Sequence, residues 1–190
     1  MLNAMTAQWH RGGDWALGHA KAFRDEVKAR VDSGAAACAN ERFRLIWIGV
    51  GLWQNTEFYS AFEESHAAVF VRSMYLSLAA DGYIKYGLAD PVRALGARYL
   101  NIGSQTHIPP WGAEWAVHEA QRHRADGAVI LVTPNLRQNL IGTNFQKLAL
   151  EKAGVPVLEL HADPNDNRSW RDDKMRAQLG RFIETRLSGL

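Results

Sequence analysis

Four short segments carry the polar and aromatic side chains best placed to bind a ligand, because each follows an apolar run that predicts a buried strand. They are residues 49–55 (GVGLWQN), 72–75 (RSMY), 133–137 (TPNLR) and 161–163 (HAD). In an open parallel sheet, ligands bind beyond the carboxyl ends of the strands, so these segments should meet at one edge. Together they would form a cleft with an aromatic floor, amide side chains and one histidine.

Several residues in these segments have both a ligand-binding and a structural interpretation. Gly49 and Gly51 follow a strand as in a dinucleotide-binding turn, but the third glycine of that motif is missing, which favours a plain tight turn. Trp53 is an unusual choice for a solvated loop, and it either contacts a ligand or closes the end of the core. His161 at a strand end is a candidate general base or a hydrogen-bonded structural residue.

The remaining titratable side chains form no recognisable reactive group. His118 and His123 are five residues apart, whereas two zinc ligands on one helix face are four apart. Cys38, the only cysteine, lies in an alanine-rich loop without a Cys-His motif, so we interpret it as incidental. We interpret the acidic pairs at 63–64 and 172–173 as solvated helix surface. The residue types therefore predict a binding cleft without a metal site, and they specify no reaction.

The composition of the 190-residue chain excludes several classes of protein. Hydrophobic residues make up 47% and charged residues 22%, which excludes a disordered tail, and a single cysteine excludes a disulfide scaffold. The formal net charge is only +2, without the basic patch that nucleic-acid binding requires. No apolar run reaches the roughly 18 residues of a membrane span, and residues 1–13 lack a signal-peptide layout. We expect a cytoplasmic protein with no nucleic-acid partner and no membrane partner.

Apolar periodicity predicts the elements that must position the four segments. β-branched and aromatic residues run together in four predicted buried strands, at residues 43–50, 67–71, 128–132 and 155–160. Helical spacing predicts helices at residues 16–31, 56–65, 91–100, 111–124, 142–153 and 171–187. Asp14, Thr56 and Asp90 are their predicted N-caps. Alternating strands and helices indicate an α/β fold, a three-layer doubly wound domain with a mostly parallel four-stranded sheet.

The domain organisation follows from length and loop composition. A chain of 190 residues buries enough surface for one core without a disulfide or metal. We expect residues 1–190 to form a single Rossmann-like or flavodoxin-like domain. Residues 1–40 are expected to be an N-terminal helix and a linker that leads into it, since residues 32–40 are rich in small residues.

Taken in order, the sequence motifs resemble those of a known family. The first half carries GDWALG at 13–18, FRDEV at 23–27, RV at 30–31, RLIW at 44–47, GLW at 51–53 and AVFV at 68–71 with Tyr75. The second half carries DP at 90–91, ARYL at 97–100, ADGAV at 125–129, GVPVLE at 154–159, AD at 162–163 and D-x-R at 166–168. In their order and spacing these motifs resemble the benzoyl-CoA reductase / 2-hydroxyacyl-CoA dehydratase family, in particular the 2-hydroxyglutaryl-CoA dehydratase D-component. The likeness corresponds to the C-terminal half of a family subunit.

The resemblance implies a subunit of an ATP-activated iron–sulfur radical enzyme of anaerobic metabolism that acts on acyl-CoA thioesters. Family subunits work in pairs and hold an iron–sulfur cluster near the thioester, and a separate ATP-dependent activator supplies one low-potential electron. The substrate is then either a 2-hydroxyacyl-CoA that loses water or an aromatic acyl-CoA whose ring is reduced. The protein holds the thioester carbonyl near the cluster and excludes water, while the cofactor supplies the chemistry.

One departure from the family concerns the cluster ligands. Three cysteines normally ligate the cluster, and the last is expected after the strand at 128–132, at or beside Leu136. No cysteine lies in residues 133–142, Cys38 matches no ligand position, and such clusters need thiolates. We therefore expect this chain to bind no cofactor alone, to be inactive alone, and to act beside a cysteine-bearing sister subunit that holds the cluster. A fragment, a noncatalytic subunit and a diverged relative all remain compatible with the sequence.

Strand position and resemblance together imply the site residues. Gly51, Trp53 and Asn55 should pack against the acyl group, and Tyr75 and Asn135 should hydrogen-bond the thioester or the pantetheine. In the alternative hypothesis, the chain is a noncatalytic scaffold that shields a partner's cluster and binds no substrate. A third hypothesis is an unrelated flavodoxin-like binding domain. The sequence leaves open which acyl-CoA is bound and whether the outcome is dehydration or ring reduction.

Overall fold

The structure of the protein is a computed structural model, which describes residues 10, 12–73, 90–94, 96, 111–133, 137–164, 166 and 168–187. The chain divides into two compact units, Met1–Asn40 and Glu41–Leu190. The described helices are α1 Asp14–Asp32, a 3-10 helix Thr56–Tyr59, α2 Glu63–His66, α3 Trp111–Arg122, α4 Arg137–Lys152 and α5 Asp172–Phe182, which continues as π-helical Ile183–Leu187. The strands are β1 Phe43–Ile48, β2 Ala68–Ser73, β3 Gly127–Val132 and β4 Val157–His161.

Helix α1 is the long element of the first unit. Its N-cap is Gly13, with extended backbone and no side-chain cap, so the prediction of Asp14 as the N-cap is wrong. Asp14 lies instead in the first turn, where its carboxylate is still favourable at the positive end of the helix dipole. The helix ends at Asp32, with Ser33 as its C-cap, and Gly34 follows with a φ of +72°. Apolar side chains that predicted the helix, among them Leu17 and Val31, are exposed.

The second unit contains one four-stranded sheet in the order β2-β1-β3-β4. All three neighbouring pairs are parallel, which confirms the predicted α/β class. The central strands β1 and β3 are almost completely buried, as their uninterrupted apolar runs predict. The observed strand ends differ from the predicted ones by one or two residues.

Two hydrophobic clusters cover the two faces of the sheet. The aromatic cluster includes Trp47, Phe58, Phe62 and Trp170, together with the apolar residues of α5. The aliphatic cluster joins alternate residues of β1 and β3 to α3 and α4. Successive residues of β1 enter different clusters, because side chains of a strand point to opposite faces in turn. Helices therefore cover both faces, which is the predicted three-layer arrangement.

Strand β2 contains a β-bulge that redirects one charged side chain. The register passes from Leu45 opposite Phe70 to Ile46 opposite Arg72, so Val71 is the extra residue. The bulge turns Arg72 to the same face as Ile46, towards α3. Its Nε atom lies 3.1 Å from Oε2 of Glu119, whose side chain is 3% exposed. A buried ion pair thus connects β2 to α3.

Residues 56–65 are not the single helix that the sequence predicts. The 3-10 helix and α2 divide this stretch, and neither has a side-chain cap, so Thr56 does not act as one. Phe58 and Phe62 both enter the aromatic cluster, and Ala67, with a φ of +52°, ends α2. Phe58 and Phe62 are four residues apart and lie on the same side of the chain, as in a helix. Their packing against the sheet places them there without a continuous helix.

The remaining helix predictions differ mainly at their ends. Helix α4 begins at Arg137, five residues before the predicted start. Asp90 is confirmed as a cap, since its Oδ1 atom accepts a hydrogen bond of 3.1 Å from the backbone N–H of Arg93. The helix it caps is described over residues 91–94, and most of its remainder lies outside the described residues.

Candidate functional site

The candidate site is the edge of the sheet at the carboxyl ends of the strands. The β1 loop, residues 49–55, follows β1 at this edge, and residues 162–171 connect β4 to α5. We call the latter the β4–α5 segment. Tyr75 and Asn135, both predicted site residues, lie outside the described residues, as does Leu136.

Gly49 allows the chain to turn directly after β1. Its φ of +114° is a backbone conformation that residues with a side chain rarely adopt. A Cβ atom at this position would lie 3.0 Å from the carbonyl oxygen of Leu131 on the neighbouring strand. Glycine is therefore required here by close packing, as the tight-turn interpretation of this segment predicts.

Trp53 is displayed on the surface of the β1 loop. Its side chain is 41% exposed, whereas Leu52 beside it is 1% exposed. Leu52, and not Trp53, therefore closes the end of the core. The indole lies over Gly51, where a Cβ atom would be 3.5 Å from Cε2 of the ring. The missing side chain of Gly51 leaves one face of the indole close to the backbone.

The buried Trp47 and the partly buried Tyr59 hold the β1 loop in place. Trp47 donates a hydrogen bond of 2.9 Å from Nε1 to the carbonyl oxygen of Val50. The Tyr59 hydroxyl accepts a hydrogen bond of 2.9 Å from the backbone N–H of Leu52. Burial raises the pKa of Tyr59 to about 12, although this hydrogen bond acts in the opposite direction. The phenol therefore stays neutral at physiological pH and serves as a structural acceptor.

Asp172, at the start of α5, is the centre of a hydrogen-bond network that reaches the β1 loop. Its Oδ1 atom accepts hydrogen bonds from Asn55 Nδ2 at 2.6 Å and from Trp170 Nε1 at 3.1 Å. Its Oδ2 atom accepts one from Arg176 Nε at 2.6 Å. Burial opposes ionisation, but the hydrogen bonds from Arg176, Trp170 and Asn55 outweigh it and hold the pKa of Asp172 below its usual value.

The interpretation of Asp172 as solvated helix surface is therefore incomplete: its side chain is 43% exposed, but its carboxylate also holds the β1 loop. The carboxylate binds three donors from two separate parts of the chain. Asp173 fits the prediction, since it is exposed and its Oδ2 atom lies 3.4 Å from Arg171 Nη2. Adjacent acidic residues at a helix start look alike in a sequence, and only the position of α5 over the sheet distinguishes them.

The β4–α5 segment is held by its own polar contacts. Ser169 Oγ donates a hydrogen bond of 2.8 Å to the carbonyl oxygen of Asp166 and accepts one of 2.8 Å from Asp163 N–H. Asp166 also pairs with Arg168, whose side-chain hydrogen bond lowers the pKa of that carboxyl. His161, the candidate base, is exposed at the end of β4. The segment carries Trp170 into the aromatic cluster beside Phe58, with the two ring centroids 5.0 Å apart.

The structure brings three of the predicted site residues together with two that sequence reasoning missed. Gly51, Trp53 and Asn55 share one loop, and Asn55 is bonded to Asp172 and, through it, linked to Trp170. A signal for the missed pair exists in the sequence, since a tryptophan precedes an acidic first turn directly after a strand-end loop. The arrangement is a rigid loop with an exposed aromatic face, which suits binding of a flat or apolar group.

The donor set of this chain does not fit an iron–sulfur cluster. The sequence contains one cysteine, Cys38, which is buried in the first unit, whereas these clusters are held by several thiolates. Among the described residues, no group of three or more His, Cys, Asp or Glu side chains is placed to hold a metal ion. We therefore derive no chemical step from a cluster in this chain.

Comparison with known proteins identifies the family. A family model described as 2-hydroxyglutaryl-CoA dehydratase, D-component, matches residues 1–185. The chain belongs to this family. The match spans nearly the whole chain and confirms the predicted resemblance, so this D-component family member is a component of a 2-hydroxyacyl-CoA dehydratase-type enzyme. A search of curated proteins gave no match. In the part of the chain that the structure describes, no helix has the length and apolar character needed to cross a bilayer.

Proposed function

We propose that this chain contributes the substrate-side domain of an enzyme that acts on acyl-CoA thioesters. A cysteine-bearing sister subunit would hold the iron–sulfur cluster, and an ATP-dependent activator would supply the electron. The reaction would be dehydration of a 2-hydroxyacyl-CoA or reduction of an aromatic acyl-CoA ring. Family membership supports the substrate class, and the absence of a sufficient set of thiolates supports the need for a sister subunit.

The observation that carries this proposal is the exposed indole of Trp53 on a loop held from both sides. Trp47 and Tyr59 hold the start of the loop, and Asp172 holds its end. A binding surface that is ordered before the ligand arrives loses less entropy on binding. The indole of Trp53 would pack against the acyl group, and the absence of a side chain at Gly51 would let the ligand approach the backbone.

The other predicted site residues have more specific proposed roles. Asn55 would act mainly by positioning the loop, because its Nδ2 atom is already bonded to Asp172. Tyr75 and Asn135 would hydrogen-bond the thioester or the pantetheine. This assignment for Tyr75 and Asn135 rests on their places after the second and third strands.

Isothermal titration calorimetry of the purified chain with CoA thioesters tests the proposal. The panel should contain aromatic and 2-hydroxylated acyl groups, with free CoA as the reference ligand. We expect saturable binding of at least one thioester, and about a tenfold loss in Trp53→Ala, since an aromatic contact is worth up to about 1.5 kcal/mol beyond the area that it buries. Phe145→Ala is the matched control, because Phe145 is 53% exposed on α4, within the outer groove between α3 and α4. The preferred thioester would identify the reaction branch.

A noncatalytic scaffold is the second candidate, and the donor set favours it. A subunit without cluster thiolates could cover a sister subunit's cluster and exclude water without binding substrate. Absence of thioester binding, combined with tight association with a cysteine-bearing sister subunit, would establish this function in place of the first.

A further inference from the structure

One buried polar group at the carboxyl edge has no part in the packing described above. Thr133 is 2% exposed, and its Oγ1 atom is inaccessible to solvent, with no hydrogen-bond partner among the described residues. A buried hydroxyl without a partner lowers stability, because it has lost hydrogen bonds to water and gained none. Most buried polar side chains in proteins have a partner, so this one requires an explanation.

The position of Thr133 is in the part of the sheet that binds ligands. It is the first residue after β3, and the preceding residue, Val132, accepts a backbone hydrogen bond of 3.2 Å from Ala162 after β4. On the other side, Leu131 lies against Gly49 at the start of the β1 loop. Thr133 is therefore located between the β1 loop and the end of β4, at the edge where parallel sheets bind ligands.

The alternation along β3 indicates the face on which Thr133 lies. Val129 and Leu131 belong to the aromatic cluster, and Ile130 and Val132 belong to the aliphatic cluster. Continued by one residue, this alternation assigns Thr133 to the side of the aromatic cluster. That side also carries the β4–α5 segment and the network around Asp172.

Valine would fill nearly the same volume as threonine at this position and would remove the cost of the unpartnered hydroxyl. Folding alone therefore does not favour threonine here. Natural proteins keep such locally unfavourable groups chiefly where function needs them, since active sites exchange stability for activity. The hydroxyl should thus acquire its partner when a ligand binds and displaces the atoms that cover Oγ1 in the unliganded protein.

We infer that Thr133 is a ligand-binding residue whose hydroxyl donates a hydrogen bond to the carbonyl oxygen of a bound CoA thioester. The identity of the ligand rests on the proposed function, and the contact is an addition to it. A single neutral hydroxyl suits an uncharged oxygen, whereas a buried phosphate would need several donors or a cation. All candidate substrates share the thioester carbonyl and the two amide carbonyls of the pantetheine, and only the thioester carbonyl is missing from free CoA and from a thioether.

The test compares three ligands and three proteins by isothermal titration. The ligands are an acyl-CoA thioester, the matching thioether in which a methylene group replaces the carbonyl, and free CoA. The proteins are the wild type, Thr133→Val and Thr133→Ser. We expect Thr133→Val to bind the thioester about three- to tenfold more weakly, the loss of one neutral hydrogen bond. Binding of the thioether and free CoA should not change, and Thr133→Ser should retain thioester binding.

The thermal unfolding temperature is a second measurement, and it would fall in Thr133→Val if the hydroxyl had a purely structural role. Thr133→Val should unfold at the same temperature as the wild type or higher, because it removes an unpartnered buried hydroxyl. Thr185→Val is the matched control, since its hydroxyl donates a hydrogen bond of 2.7 Å to the carbonyl oxygen of Arg181 in the π-helical end. That end lies at the opposite edge of the sheet, where Leu187 contacts Gly127, so ligand binding should not change.

The outcomes separate this inference from the proposed function. If the wild type binds no thioester, the proposed function fails and the carbonyl contact fails with it. If the wild type binds the thioester and Thr133→Val binds it equally well, only the inference is overturned. An equal loss for free CoA and the thioether would also overturn it, because the hydroxyl would then contact another part of the ligand. A clear drop in unfolding temperature would show a structural partner and overturn it too.

Discussion

At the scale of single residues, the two glycines of the β1 loop have different structural roles. Gly49 has a φ of +114° and lies against the backbone of Leu131, so both conformation and space exclude a side chain. At Gly51 the nearest atom to an added Cβ belongs to the flexible side chain of Trp53, at an ordinary contact distance of 3.5 Å. The first glycine is therefore a requirement of the fold, and the second shapes the surface that would meet a ligand.

We expect Gly49→Ala to lower the free energy of unfolding by about 1–3 kcal/mol, the cost of a strained backbone position. Denaturant unfolding of the purified variant measures this loss. Gly51→Ala in the same loop is the control and should change stability by less than about 0.5 kcal/mol. It should nevertheless weaken thioester binding, because its methyl group would occupy the face of the indole. Equal stabilities of the two variants would contradict the distinction.

At the scale of elements, Asp172 connects the start of α5 to the β1 loop. Its carboxylate lies in the first turn of α5, where a negative charge is favourable, and it bonds to a residue 117 positions earlier in the chain. Arg176 completes the network from the next turn of the helix, with its guanidinium 5.9 Å from the centroid of the Phe58 ring. The loop that displays Trp53 is thus held in place by a helix that packs on the aromatic cluster.

We expect Asp172→Asn to loosen the β1 loop while the sheet stays folded. An asparagine directs an N–H group or a weaker acceptor at Arg176, so the charge-assisted hydrogen bond is lost. Hydrogen–deuterium exchange should show faster exchange, by about tenfold, at the backbone amides of Trp53 and Asn55. Asp173→Asn is the matched control, because that carboxylate is exposed, and its exchange rates should match the wild type.

The pH dependence of this network follows from the lowered pKa of Asp172. The Asp172 carboxyl binds its proton less readily in the folded chain than in the unfolded chain, where its pKa has the ordinary value of 3.8. Its contribution to stability is therefore complete above pH 3.8. The contribution is lost as the pH falls through the lower, folded value. Loosening of the β1 loop in the wild type should therefore appear only in strong acid, which a pH series of the same exchange measurement would check.

At the scale of the whole molecule, the two faces of the sheet are stabilised differently. Aromatic rings pack on one face, while the other combines aliphatic packing with the buried charges around Glu119. Arg72 from β2 and His123 after α3 approach the same Glu119 oxygen, and Arg122 lies 3.8 Å from the other. Burial, and then the positive charge of Arg72, lower the pKa of His123, although Glu119 acts in the opposite direction.

We expect the global stability to fall as the pH drops below about 6.5, the unperturbed histidine value. Between this value and the lower pKa of the folded state, the unfolded chain binds a proton at His123 and the folded chain does not, which gives a slope of up to about 1.4 kcal/mol per pH unit. Urea unfolding at several pH values between 5 and 8 would measure it. His123→Gln should flatten this dependence, whereas His118→Gln, at an exposed position of α3, should not. An unchanged slope in His123→Gln would contradict the assignment.

The sequence by itself determined most of the secondary structure, the parallel sheet and the family. These properties depend on local patterns: uninterrupted apolar runs gave β1 and β3, and alternation with helices implied parallel strands. The same patterns placed Gly51, Trp53 and Asn55 on the loop after β1. They failed at residues 56–65, because the spacing of Phe58 and Phe62 is equally satisfied by one helix or by two rings packed on a sheet.

Only the tertiary structure decided which polar side chains have partners. The acidic pair at 172–173 gives no local sign that one member holds the β1 loop, because its partner Asn55 is 117 residues away. The bulge that turns Arg72 towards Glu119 is equally invisible in the local pattern. The burial of the Thr133 hydroxyl likewise depends on how neighbouring strands and segments meet at one edge. Backbone periodicity is a local property of the chain, whereas the environment of a polar side chain is set by contacts between elements that are distant in sequence.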